Sequence, residues 1–237
     1  MRSYLLPAAH PARDALGILF GRPDVIDNDS TFQAAGFEIR VKQSRSLMRV
    51  AAHPALPEYL FKVYFVDERL HEREKPRGWS GFARRCQNAE RIYNIIRENG
   101  LQYFQVPRKW LFLLPAHHPA CSPDDQPVIL VAERQDLVSR AENEQAWLNA
   151  IAERHLDELH TIIQGAGGSS YRPDNIPMTK QGKFTFIDTE HAGDQPDYES
   201  IRQYLSSRMR QYWLTLTDES LVQSTQQTWT VRRHWTC

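Results

Sequence analysis

Asn175 and Asp188 are the side chains of this sequence whose chemistry and setting stand out together. Asn175 lies in Ser169-Ser170-Tyr171-Arg172-Pro173-Asp174-Asn175-Ile176-Pro177, a polar, proline-broken stretch that reads as a loop. Asp188 follows the apolar run Lys183 to Ile187, which reads as a short strand. Each oxygen donor therefore sits just past an apolar anchor, one on a loop and one at a strand end. An amide oxygen and a carboxylate held in that way suit a hard cation such as magnesium, which keeps waters and phosphates as its other ligands. Arg172-Pro173-Asp174-Asn175 also suits an ordinary turn, because Pro, Asp and Asn favour turn backbone for local reasons.

Lys62 is the third group with chemistry. It interrupts Tyr59-Leu60-Phe61-Lys62-Val63-Tyr64-Phe65, an aromatic and β-branched run that reads as a strand. A lysine there either carries its ammonium out to water or meets an anion.

The elements that must position these groups follow from periodicity. Phe37 to Lys42 alternates, with Phe37, Ile39 and Val41 on one side, and Leu47 to Ala52 reads as its returning strand. Gly81 to Asn99 has Phe82, Cys86, Ala89, Ile92, Tyr93 and Ile96 at helical spacing, with Gly100 as its stop. Lys109 to Leu114 and Pro127 to Glu133 are two further strands. Glu144 to Gln164 reads as one long helix with Trp147, Ile151, His155, Leu159, Ile162 and Ile163 as its buried stripe, ended by Gly165-Ala166-Gly167-Gly168. Tyr198 to Tyr212 reads as helical. Residues 1–35 are irregular, apart from a short helix at Ala12 to Phe20, and read as an N-terminal extension.

The stretch around Asn175 and Asp188 resembles the catalytic and metal loops of the protein-kinase superfamily, His-Arg-Asp-Leu-Lys-Pro-x-Asn followed by a hairpin and Asp-Phe-Gly. Arg172-Pro173-Asp174-Asn175 is similar to the Lys-Pro-x-Asn half, and Asp188 takes the place of the metal-binding aspartate. The resemblance implies an α+β, protein-kinase-like two-lobe fold with a five-stranded antiparallel small lobe (36–134) and a truncated, mostly helical large lobe (135–237). It implies that Lys62 addresses the phosphates of ATP and that Glu90 pairs with Lys62. Asn175 and Asp188 would then hold Mg, and Glu133-Arg134-Gln135 would be the hinge. Glu90 read by itself is a solvated helix glutamate. The chain is also similar to uncharacterised kinase-like proteins of intracellular bacteria.

Three departures bear on activity. Ser170 stands at the position of the catalytic aspartate, and a serine hydroxyl is not basic near neutral pH. Residues 42–49 contain no glycine, so the usual phosphate lid is missing. No Ala-Pro-Glu motif follows Asp188. The expected function is a kinase-like protein, catalytically weak or inactive, that binds ATP and Mg and acts as a binding or regulatory module. An active divergent kinase or other nucleotide-dependent transferase is the alternative, and an unrelated α+β binding domain the second. His155 and His160 are not a zinc pair: five residues apart, they stand about 140° around a helix.

Composition bounds the rest. The chain has 237 residues, 29 Lys+Arg against 29 Asp+Glu, and 41% hydrophobic residues. That is an ordinary globular profile without the cationic excess that nucleic acid or an anionic membrane attracts. Cys86, Cys121 and Cys237 lack metal-ligand spacing and do not form a disulfide framework, which suits a reducing compartment. No secretory signal or membrane-length apolar run is present. The expected location is the cytoplasm, or a host cell reached by a non-classical route. The expected partners are a nucleotide and a protein that the sequence does not identify.

Overall fold

The protein is described by a computed structural model, at residues 2–22, 24–42, 48–65, 79–114, 128–168, 171–193 and 195–218. Ser170, most of the glycine-free 42–49 turn, the 116–126 loop and the Trp- and Arg-rich tail lie outside these residues. The chain forms two compact units, 1–90 with 107–135 and 91–106 with 136–237.

The first unit is built on a five-stranded antiparallel sheet, so the protein is of the α+β class. Its strands are β1 (Glu38–Lys42), β2 (Met48–Ala52), β3 (Tyr59–Tyr64), β5 (Lys109–Leu113) and β6 (Val128–Glu133), in the order β1-β2-β3-β6-β5. The near-continuous apolar runs of β2, β3 and β6 follow from burial on both sheet faces. Phe61, Val63, Ile129 and Val131 belong to one core cluster, and Met48, Tyr64, Val128 and Leu130 to another.

Residues 1–35 pack onto this sheet. Helices α1 (Arg13–Leu19) and α2 (Asp29–Ala34) cover the first face with Leu16, Phe20, Val25, Ile26 and Phe32, all fully buried. Each such side chain contributes about 1.5–3 kcal/mol over leaving it in water. Phe32 stacks on Phe37 at 4.1 Å, and Phe37 meets Phe61 edge-on at 5.6 Å. Asn28 starts α2 with a capping box: its side chain accepts from the Ser30 and Thr31 amides, and the Thr31 hydroxyl accepts from the Asn28 amide. Strand β1 also departs from its expected alternation. A register shift between Ile39 and Val41 turns Val41 outward, leaving it 46% exposed, as a bulge does.

The second face is covered by the helix α3 (Trp79–Glu98) through Phe82 and Cys86, which pack with Met48, Tyr64, Leu111, Val128 and Leu130. The boundary between units falls inside this helix, at 90/91.

The second unit has its own core. Residues 91–106 belong to it rather than to the 36–134 span, because Ile92 and Phe104 join its cluster. The two-residue strand β4 (Phe104–Gln105) pairs in parallel with β7 (Phe184–Thr185). The helix expected over Glu144 to Gln164 is broken. It comprises α4 (Arg140–Gln145), a π-helical turn Ala146–Ala150, and α5 (Glu153–Ala166), with Ile151 and Ala152 in extended backbone between them. The expected buried stripe from Trp147 to Ile163 nonetheless faces the core. The Tyr198–Tyr212 span is broken too. Arg202–Tyr204 is a 3-10 turn, Leu205 is extended, and helix α6 occupies 207–218. No helix among the described residues is long and apolar enough to cross a membrane.

Candidate functional site

Asn175 and Asp188 meet in the second unit. The Asn175 and Ile176 amides both donate to the Arg172 carbonyl at 2.9 Å, so Arg172-Pro173-Asp174-Asn175 is a hydrogen-bonded turn with proline at its second position. The chain then forms a hairpin. The Met178–Phe184 bridge closes it, Thr179 bonds to Lys183, and Gly182 takes a positive φ of 82° at its tip. On the return, the Thr185 amide donates to the Pro177 carbonyl at 2.9 Å and the Ile187 amide to the Asn175 carbonyl at 3.0 Å. These two bonds put Asp188 one residue beyond the partner of Asn175.

Both residues line one small cavity, together with Tyr171, Thr189, Glu190 and His191. Its volume is about 10 Å³. That is room for one water-sized occupant. Asn175, Asp188 and Glu190 are all partly buried, and the Glu190 amide donates to Asp188 Oδ1 at 3.3 Å. The Tyr171 hydroxyl is turned inward onto the Gly167 carbonyl, and burial pushes its pKa above the ordinary phenol value. Asn175 and Asp188 carry the amide and carboxylate oxygens that suit magnesium by donor chemistry. Among the described residues no group of three or more His, Cys, Asp or Glu could hold a metal ion. A cation here would draw its remaining ligands from water or phosphate.

The loop is held from behind by two residues that sequence reasoning missed as positioning groups. Asn143 is buried; its Nδ2 donates to the Pro173 carbonyl and its Oδ1 accepts from the Met178 amide, both at 2.8 Å. Trp147, one turn along, donates from Nε1 to the Ile176 carbonyl at 3.1 Å. The signal in the sequence is weak: an asparagine four residues before a tryptophan, with Ser139 and Glu142 forming the capping box of α4.

The stretch after Asp188 is held from the other side. Gly193 donates to the Ala166 carbonyl at 2.8 Å and Asp197 to the Gly168 carbonyl at 2.9 Å. Asp174 turns away from the cavity. It pairs with Arg172 at 3.3 Å and lines a separate groove of about 490 Å³ with Arg140, Glu144, Leu148 and Tyr204.

Lys62 and Glu90 belong to the first unit. Lys62 is partly buried and pairs across the sheet with Val50 and Leu130, which places it on the face covered by α3. Glu90, exposed on α3, accepts the Tyr4 hydroxyl; burial and this carboxylate raise the Tyr4 pKa. Tyr4 is carried there by Leu5 and Leu6, which pair with Leu111 at the β5 edge. Cys86 is buried and its thiol is pushed up to about 12, so it stays protonated and unreactive near neutral pH. His155 and His160 make separate contacts. His155 caps α5 and packs on Tyr103, and His160 stacks on Tyr198.

A scan against protein-family models finds no match to this chain, and no curated protein matches it in sequence.

Proposed function

We propose that this chain is a divergent protein-kinase-like module that binds a nucleotide polyphosphate with magnesium and transfers phosphoryl groups weakly or not at all. The observation that carries the reading is the pairing of 175–177 with 185–187, which gathers Asn175 and Asp188 on one ion-sized cavity. Magnesium bound by one carboxylate and one amide would keep positions for phosphate oxygens. Weak transfer follows from Ser170 at the position of the base and from Asp174, which is engaged by Arg172 and lines a different groove.

A second reading, an active transferase, is favoured by one observation. Glu190 and His191, both able to accept a proton, line the same cavity as Asp188.

Nucleotide affinity measured by calorimetry with and without magnesium decides between these. The expected result is magnesium-dependent ATP binding that Asp188→Asn, which keeps the shape and removes the charge, abolishes. Substrate phosphorylation lost in Glu190→Gln or His191→Ala would select the active transferase. No binding of any nucleotide under any metal condition would leave an unrelated α+β binding domain.

A further inference from the structure

The backbone from Pro173 to Met178 lies between two sets of hydrogen bonds that point in opposite directions. On one side Pro173 O, Ile176 O and Met178 N are taken by Asn143 and Trp147. On the other side Asn175 O and Pro177 O take the amides of Ile187 and Thr185. The carbonyls from Asn175 to Pro177 thus alternate, Asn175 and Pro177 facing the strand that leads to Asp188 and Ile176 facing the helical segment. Asn143 holds both ends of this span, and Trp147 the middle. Asn143 itself does not line the cavity.

We infer that Asn143 is the positioning residue of the Asn175–Asp188 site: its amide sets the 173–178 backbone, and that backbone sets Asp188. The role is specific to a carboxamide. One end donates to a carbonyl in a buried bond, and the other accepts from an amide in a part-buried one. Aspartate keeps the acceptor for Met178 and sets a negative oxygen against the Pro173 carbonyl. Alanine removes the partner of the Pro173 carbonyl in a buried bond, which is costly, and of the part-buried Met178 amide. The prediction of weakened metal binding rests on the reading under Proposed function; the coupling of Asn143 to Asp188 does not.

The test uses the full chain as wild type, Asn143→Ala and Asn143→Asp. Amide hydrogen exchange is read at Met178, which Asn143 touches, and at Thr185 and Ile187, which it does not. Manganese is the metal probe, followed by water-proton relaxation with and without ATP. Faster exchange at Met178 together with Thr185 and Ile187, with the α5 amides still protected, is the expected result. Manganese affinity should fall roughly 10–100-fold, as it does when the support of a ligand is removed. Should Met178 alone lose protection, Asn143 is a local strut and the inference is overturned. If wild type binds no manganese, the metal reading fails, and the exchange at Thr185 and Ile187 still decides the coupling. Asn143→Asp keeps the test valid if Asn143→Ala does not fold, with Ile187 protection equal to wild type as the overturning result.

Discussion

Gly168 shows how a single residue governs the segment after Asp188. It follows α5 with φ at 103°, a left-handed conformation that side chains rarely adopt. A Cβ added there would stand 2.5 Å from the His191 carbonyl oxygen and 2.7 Å from the Ala192 Cα. Both are backbone atoms, so no rotamer change relieves the clash, and residues 191–193 must move. Gly168→Ala is therefore expected to destabilise the protein by about 1–3 kcal/mol from backbone strain alone, and more from the displacement. A lowered urea midpoint is the expected outcome; a midpoint equal to wild type would remove the close approach from the account. The sequence suggested only that the glycines end a helix. It is silent on why Gly168 itself must be glycine, because the reason is a neighbour more than twenty residues away in the chain.

At the scale of elements, what was legible was what period and propensity encode. Strands β2, β3, β5 and β6 and the helix α3 lie within a residue or two of where alternation and helical spacing put them. Tertiary hydrogen bonds and close packing are invisible to that reasoning. They account for the N-terminal layer over the sheet, the bulge that turns Val41 outward, and the two-residue β4–β7 pair. The break between α4 and α5 belongs here too, since the apolar stripe runs through it unchanged. The hairpin between Asn175 and Asp188 was legible; Asn143, which bonds to the backbone at Pro173 and Met178, was not. The break also yields a prediction. Ala152 is in extended backbone at the N-cap of α5, with φ −120° and ψ 169°, and has no side chain to bond the first-turn amides. Ala152→Ser supplies a side-chain acceptor for the Arg154 amide and should stabilise the protein by about 1 kcal/mol. Thermal unfolding checks it, and an unchanged or lower midpoint counts against the cap.

The whole molecule should lose stability in mild acid, because three histidines in its two units are held neutral. His10, in the first unit, accepts the Ala12 amide at Nδ1 and sits edge-on to Trp110 and Tyr59; burial lowers its pKa, against the opposing pull of Glu133. His155 accepts the Ala152 amide at Nδ1 and packs on Tyr103 and Phe184; burial and then Arg154 lower it, with Glu158 opposing. His160, between Tyr198 and Trp213, is lowered by burial against Asp157. For a base whose folded pKa lies below its unfolded value, the unfolded chain binds the proton first. Stability is then complete above the ordinary value of 6.5 and falls as pH drops below it. Each group contributes at most about 1.4 kcal/mol per pH unit within its window. His10 and His160, only partly buried, fall short of that because solvent screens them. Urea midpoints should be flat above about pH 7 and decline between about pH 6.5 and 5, before most carboxylates titrate. His155→Gln, whose amide oxygen can still take the Ala152 N–H without titrating, should flatten part of that decline. Midpoints independent of pH across this range would mean that these rings charge as readily folded as unfolded, and the neutral cap on α5 would then have no energetic role.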